Sequence, residues 1–173
     1  MLVIGRAEAG KLEFKPSPIN LVEFCRDLVE EMQLSAGSQH RITFELNPDL
    51  LPMNEFIPGI DQKLLRHILN NLLSNAIKYS PSGGNVSLSL YYQDSHAILQ
   101  VEDEGIGIPP EDEDHLFEPF YRGKNVENIS GTGLGLAIVK RSVDLHGGQI
   151  DFKSKISKGT IFTVTLPLET GLS

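Results

Sequence analysis

The chain has 173 residues, 40% of them hydrophobic and none tryptophan, which is enough for one ordinary domain with its own core and too little for a second full one. A formal charge of −8, with no basic run and no basic patch with interleaved aromatics, argues against nucleic acid as the main partner, and any polyanion that binds must be small and locally compensated. The single cysteine, Cys25, has no partner for an internal disulfide, and Met1-Leu2-Val3-Ile4 stops at Gly5, short of the roughly 20 residues of a membrane span and without a signal-peptide layout, so a reducing, cytoplasmic setting is expected.

Leu12 and Phe14 alternate with charged residues ahead of Pro16-Ser17-Pro18, which predicts a short strand and then a turn. Asn20 is placed to cap a helix whose apolar stripe, Val22, Phe24, Cys25, Leu28, Val29 and Met32, runs out near Gly37. Ile42, Phe44 and Leu46 alternate as a strand. A Pro-interrupted stretch through Asn54-Glu55-Phe56-Ile57-Pro58 leads to Asp61, a second N-cap, and a helix from about Gln62 to Tyr79 ended by Ser80-Pro81-Ser82-Gly83-Gly84. Two alternating strands follow, one with Val86, Leu88 and Leu90, the other with Ile98 and Leu99 to Val101, joined by a hairpin at Gln93-Asp94-Ser95. Between Pro109 and Ser130 there is one short helix at most, and so long an irregular segment reads as a functional lid. The next helix carries Leu134, Leu136, Ala137, Val139, Val143 and Leu145 and stops at Gly147-Gly148. Strands from Gln149 to Ser154 and Thr160 to Leu166 complete the chain. This order predicts an α+β fold, a two-layer α/β sandwich in which three main helices cover one face of a mixed sheet of about five strands, with a long lid.

Two glycine groups frame the lid: Asp103-Glu104-Gly105-Ile106-Gly107-Ile108-Pro109 before it and Gly131-Thr132-Gly133-Leu134-Gly135-Leu136 after it. Glycine permits close approaches that a side chain blocks, and the second group opens a helix, where unpaired N–H groups and the helix dipole suit phosphate. On the preceding helix, at 100° per residue, Asn71, Asn75 and Lys78 fall within an arc of about 60°, away from Leu65, Leu69, Leu72, Leu73 and Ala76. Amide oxygens are hard donors suited to Mg²⁺, and a lysine reaches phosphate as a point charge.

Asn71-Leu72-Leu73-Ser74-Asn75-Ala76-Ile77-Lys78-Tyr79 resembles the N box of sensor histidine kinases, and the first glycine box, Phe117-Glu118-Pro119-Phe120-Tyr121-Arg122 and the second glycine box follow in that family's order, from about Leu12 to Pro167. The resemblance implies an ATP-binding catalytic domain with an ATP lid, a fold shared with DNA gyrase, mismatch-repair proteins and a heat-shock chaperone. It implies Mg²⁺ on Asn75 with Asn71, Lys78 on the phosphates, Tyr79 beside the nucleotide, and Asp103 accepting from the adenine amino group. Gly105, Gly107 and Ile108 would line the base, with Thr160 supporting Asp103. Gly131, Thr132, Gly133, Leu134, Gly135 and Leu136 would cradle phosphate, and Arg122 would reach the γ-phosphate, so that Asn71, Lys78 and Arg122 form the catalytic set. A carboxylate at position 103 favours ATP over GTP, because guanine offers a carbonyl where adenine offers an amino donor.

Hydrolytic and serine-kinase relatives carry a glutamate where this chain has Asn71. An amide takes no proton at neutral pH, whereas a neutral imidazole is already a nucleophile, so Asn71 favours transfer to histidine over hydrolysis. A hydrolysing ATPase clamp and a nucleotide-binding scaffold without transfer are the rival readings. In the family the acceptor lies on an upstream dimerisation hairpin. None of His40, His67, His96, His115 and His146 fits it, and each is read as structural, His146 with a gain from the helix C-terminal dipole. Residues 1–11 resemble the end of that hairpin and its linker, 12–168 the ATP-binding domain and 169–173 a tail. The implied partners are ATP, the hairpin of the parent kinase and a response regulator, with the fragment itself monomeric and its parent free to be membrane-anchored. Glu111-Asp112-Glu113-Asp114 reads as an ordinary acidic first turn, Ser154 to Lys158 as a solvated hairpin, and the spacings offer no zinc set.

Overall fold

A computed structural model describes residues 13–47, 56–118 and 135–168. Strand β1 (Ser17–Ile19) and helix α1 (Leu21–Ala36) open it. The side-chain oxygen of Asn20 accepts the Glu23 N–H at 3.1 Å, satisfying one free donor of the first turn, and Gly37, at φ +76°, ends the helix. The buried face of α1 is Leu21, Phe24, Cys25, Leu28 and Val29, at helical spacing. Cys25 is fully buried there, and burial pushes its thiol up to about 12, which makes it core.

Strands β2 (His40–Leu46) and β3 (Ile57–Ile60) lead to helix α2 (Gln62–Lys78). Asp61 caps α2 by accepting the Leu64 N–H at 3.1 Å, and Tyr79 closes it. Two sequence expectations shift here. Residues 13–16 have no regular structure, and the first strand is Ser17–Ile19, within the proline cluster read as a turn. The Pro-interrupted stretch in turn supplies β3, which pairs antiparallel with β1 in a separate two-stranded sheet. Pro18 and Pro58 are tolerated because a two-stranded ribbon has outer edges that need no N–H donor.

Strands β4 (Gly84–Gln93) and β5 (His96–Asp103) form a hairpin whose two turn residues, Asp94 (φ 51°) and Ser95 (φ 63°), take the left-handed conformation that matches strand twist. A 3-10 turn (Pro110–His115) begins the lid region, and helix α3 (Gly135–Leu145) and strands β6 (Gln149–Lys155) and β7 (Gly159–Pro167) finish the fold. The main sheet runs β2-β4-β5-β7-β6, parallel only between β2 and β4. The three helices pack on it, α1 against β2, α2 against β5 and α3 against β6, with α2 and α3 side by side. This is the α+β architecture expected from the sequence.

Register lines up whole rows of side chains on the helix-facing side. Leu46, Leu90, Leu99, Val164 and Ile150 make one row across the five strands, and Phe44, Leu88, Val101, Phe162 and Phe152 make the next. The following row reads Ile42, Val86, Asp103, Thr160, Ser154 and turns from apolar to polar at its centre. Among the described residues no helix is long and apolar enough to cross a membrane. The segment 1–11, the tail 169–173, Arg122 and the glycine-box residues Gly131, Thr132, Gly133 and Leu134 lie outside the described residues.

Candidate functional site

Asp103 ends β5 at the polar row. Its Oδ1 accepts the Gly105 N–H at 2.8 Å, and the Thr160 backbone opposite it in register gives a second hydrogen bond. Burial nevertheless dominates and pushes the carboxyl up to about 6, with those two N–H groups pulling the other way and Glu102 adding a small upward push. Desolvation thus holds this carboxyl closer to its neutral form than an ordinary aspartate.

The glycines around it are there because backbones meet. A Cβ on Gly105 would lie 2.1 Å from the Tyr79 carbonyl oxygen, and that same carbonyl accepts the Ile106 N–H at 2.9 Å. A Cβ on Gly107, at φ +76°, would lie 2.2 Å from the Lys155 carbonyl oxygen. The first glycine box is thus threaded between the end of α2 and the β6–β7 turn. Ile108 donates its N–H to Ser154 Oγ at 2.7 Å, and Ser154 Oγ lies 2.8 Å from Thr160 Oγ1. Ser154 is therefore tied into the site, not part of a solvated turn; its parity with Ile150 and Phe152, on the helix-facing side, was the available sequence signal. Gly159, also passed over, would put a Cβ 2.0 Å from the Asp103 carbonyl oxygen.

On α2, the buried residues Leu72, Leu73 and Ala76 turn Asn71 and Asn75 to the other side, while Lys78 is exposed in the last turn. Asn71 Nδ2 donates to the His67 carbonyl at 2.7 Å, which commits the donor end of its amide and leaves Oδ1 as the outward acceptor. Gly135, the first residue of α3, sits against this pair: a Cβ there would meet Asn71 Oδ1 at 3.0 Å and Asn75 Nδ2 at 3.8 Å. Leu136, next along, packs against the core. The end of the second glycine box and the two amides, 60 or more positions apart in sequence, therefore share one place. Among the described residues no group of three or more His, Cys, Asp and Glu is arranged to hold a metal.

Phe117 packs edge-on to Phe152, ring centroids 6.3 Å apart, which anchors the start of the lid region to the sheet. His115 pairs with Glu118 at 2.6 Å, and that hydrogen bond raises its pKa. The acidic turn 111–114 is not uniformly solvated, since Asp112 is buried. His40 bonds the Ser80 carbonyl at 2.8 Å through Nε2, His96 bonds the Asp94 carbonyl, and His67 is lowered by burial and by Lys63. His146 corrects its expectation: its Nε2 accepts the Asp61 N–H, so the ring is neutral, and burial, outweighing the Ser142 carbonyl and Asp61, lowers its pKa. The helix dipole, which favours a cation, is overruled by an N–H donor aimed at the ring.

A family described as histidine kinase-, DNA gyrase B-, and HSP90-like ATPase matches residues 60–170, the span holding both asparagines, both glycine boxes, Asp103, Ser154 and Thr160. The chain belongs to that family. Sensor histidine kinase WalK of Bacillus subtilis is 36% identical to it over 171 residues, covering 96% of this chain and 27% of WalK. Full-length ShkA, solved in complex with AMPPNP, superposes with a TM-score of 0.83 at 28% identity, over 99% of this chain and 35% of that one. The catalytic domain of histidine kinase ThkA superposes with a TM-score of 0.70 at 28% identity, over 88% of this chain and 97% of that one. The fold is that of histidine kinase catalytic domains, and the chain spans about a quarter to a third of the length of the curated sensor kinases it matches.

Proposed function

We propose that this chain is the ATP-binding catalytic part of a two-component sensor histidine kinase, which donates the γ-phosphoryl group of Mg-ATP to a histidine on a separate dimerisation domain, with a response regulator as the downstream acceptor. The observation that carries this reading is the approach of Gly135 to Asn71 and Asn75, where a helix start meets two amide side chains. A helix N-terminus and hard neutral oxygens are what a polyphosphate with its divalent ion requires.

The donor set fits Mg²⁺. Asn71 offers Oδ1 because its Nδ2 is held by the His67 carbonyl, and an ion that keeps waters and phosphate oxygens needs few protein ligands. Asn75 with Asn71 would hold it, and when bound it supplies neutralisation of phosphate charge. Lys78 in the last turn of α2 and Arg122 add positive charge for the phosphates, and residues 131–136 cradle them. Asp103 accepts the adenine amino group, supported by Thr160, with Gly105, Gly107 and Ile108 lining the base and Tyr79 beside the nucleotide. In the transfer a ring nitrogen of the acceptor histidine attacks the γ-phosphorus, the N–P bond forms, the bond to the β,γ-bridging oxygen breaks, and ADP leaves with that electron pair.

Residues 1–11 are assigned to the end of the hairpin and its linker, 12–168 to the ATP-binding domain and 169–173 to a tail, and the isolated fragment is expected to be monomeric. Asn71 at the position where hydrolytic relatives have a glutamate leaves no base there to activate water. The test is the fate of labelled γ-phosphate when the chain alone is given ATP and Mg²⁺, with binding measured in the same sample. Binding without release or self-labelling is expected. Sustained phosphate release would replace this reading with that of a hydrolysing clamp, and absence of binding would remove both.

A further inference from the structure

His40 is a buried polar side chain that packing alone does not explain. Its ring lies inside the molecule at the start of β2, with Nε2 2.8 Å from the Ser80 carbonyl oxygen. A carbonyl only accepts, so Nε2–H donates there. The other ring nitrogen, Nδ1, is buried and has no hydrogen-bond partner among the described residues. A stranded polar atom costs stability that an apolar ring of similar size would not lose. The imidazole is therefore explained by what its Nε2–H holds, and a local rule broken without a packing gain points to function.

Ser80 stands where the chain leaves α2. Its carbonyl also accepts the Gly83 N–H at 2.9 Å, closing the turn into β4, and the Gln39 carbonyl accepts the Gly84 N–H at 3.1 Å. The start of β2 thus grips this turn at two points. His40 is held in its own place from α1, because its carbonyl accepts from Gln33 Nε2 at 2.9 Å. On the far side of the turn lies the first glycine box. The Tyr79 carbonyl, one residue before Ser80, accepts the Ile106 N–H at 2.9 Å, and a Cβ on Gly105 would meet that oxygen at 2.1 Å and Ser80 Oγ at 2.8 Å. Backbones this close leave no slack, so a displacement of Tyr79 and Ser80 passes directly to Gly105 and Ile106.

We infer that His40 is a positioning residue for the base side of the nucleotide site: by holding the Ser80 carbonyl it sets where the exit of α2 stands, and with it Tyr79, Gly105 and Ile106. It acts from behind the loop, through Ser80. The inference rests on the proposed reading of Tyr79 and the first glycine box as the base side.

Dissociation constants for Mg-ATP and for Mg-tripolyphosphate, which carries phosphates and no base, are to be measured on the wild-type chain and on H40F, H40M and H40Q. Amide exchange at Ile106 is followed in the nucleotide-free chain. H40F keeps a ring and removes the donor together with the stranded Nδ1. It should melt close to wild type and yet bind ATP about tenfold more weakly, with tripolyphosphate unchanged. Its Ile106 amide should exchange faster relative to that of the buried Leu99. H40M fills the same space flexibly and decides the matter where H40F does not fold. H40Q restores an N–H near the place of Nε2 and should return ATP affinity to within about threefold of wild type. If the donor-less variants weaken both ligands equally or neither, if Ile106 exchange is unmoved, or if H40Q behaves as H40F does, the role is one of packing and the inference fails while the ATP reading stands. A wild-type chain that binds neither ligand overturns both.

Discussion

The backbone N–H of Asp61 donates to Nε2 of His146 at 3.0 Å, joining the N-terminus of α2 to the residue after α3. Because an N–H can only donate, that ring nitrogen carries no proton; the proton is on Nδ1, facing the Ser142 carbonyl at 2.9 Å. The Phe14 ring stands edge-on over the imidazole, and the Lys15 N–H bonds Asp61 Oδ2 at 2.8 Å, so the incoming chain is fastened at the same point.

Protonation of His146 should loosen this junction. Its folded pKa lies below the ordinary 6.5, so the folded state binds fewer protons than the unfolded one. The stability it contributes is complete above the unfolded value and is lost as pH falls through it towards the folded value. His146→Gln, which keeps an acceptor but never titrates, should flatten this part of the pH profile in thermal melts. His146→Ala should cost about 1–3 kcal/mol, the penalty for stranding the buried Asp61 N–H. A profile that is unaltered in the Gln variant would count against the assignment.

Asp103 should act in the opposite sense. Its folded pKa is pushed up to about 6 from 3.8, so the folded state holds its proton longer, and stability from this group is lost as pH rises between those values. Asp103→Asn keeps an oxygen for the Gly105 N–H and removes the charge, and should stabilise the nucleotide-free fold at pH 7 by about 1–2 kcal/mol after allowance for solvent screening. The same change should weaken ATP binding more than tenfold and erode the ATP-over-GTP preference, and wild-type affinity should decline below about pH 6. Calorimetry with both nucleotides checks this; an unaltered preference would remove the assigned role.

Gly135→Ala separates stability from binding. The added methyl meets the end of the Asn71 side chain at 3.0 Å, an atom that can rotate away, and alanine is the better helix former by up to about 1 kcal/mol. The melting temperature should hold or rise while Mg²⁺-dependent ATP affinity falls. Asn75→Ala should abolish the metal-dependent part of binding altogether, and equal affinity with and without Mg²⁺ in wild type would contradict the amide site.

Gly107→Ala has no such escape. The methyl would meet backbone at 2.2 Å in a residue at φ +76°, so a loss of about 1–3 kcal/mol and a displaced Ile108 are expected. A melt equal to wild type would show that the loop gives way.

The helices were legible because capping and burial agree: Asn20 and Asp61 are used as caps, and the leucines of α2 are the buried set their spacing implied. The hairpin at Asp94-Ser95 was legible from turn chemistry. What escaped was decided by pairing. Ile57–Ile60 became a strand because Ser17–Ile19 lies beside it, which no local pattern announces in a segment broken by Pro58. The tautomer of His146 depended on an N–H 85 positions away, and Ser154 joined the site through the loop residue Ile108. Asn71, Asn75 and Gly135 were placed together from motif order, and their proximity rests on α2 and α3 lying side by side.

The change from apolar to polar along a single register row has a further consequence. Phe44, Leu88, Val101, Phe162 and Phe152 lie one row inward from Ile42, Val86, Asp103, Thr160 and Ser154, two residues away on each strand and on the same face, so the core-packing side chains and the polar trio Asp103, Thr160 and Ser154 occupy successive rows. Ligand preference can drift by exchange in the outer row while the inner row stays fixed. On the proposed reading, redirecting this domain to another base means varying three neighbouring positions on β5, β7 and β6, Asp103, Thr160 and Ser154, and leaving the inner, core-packing row alone.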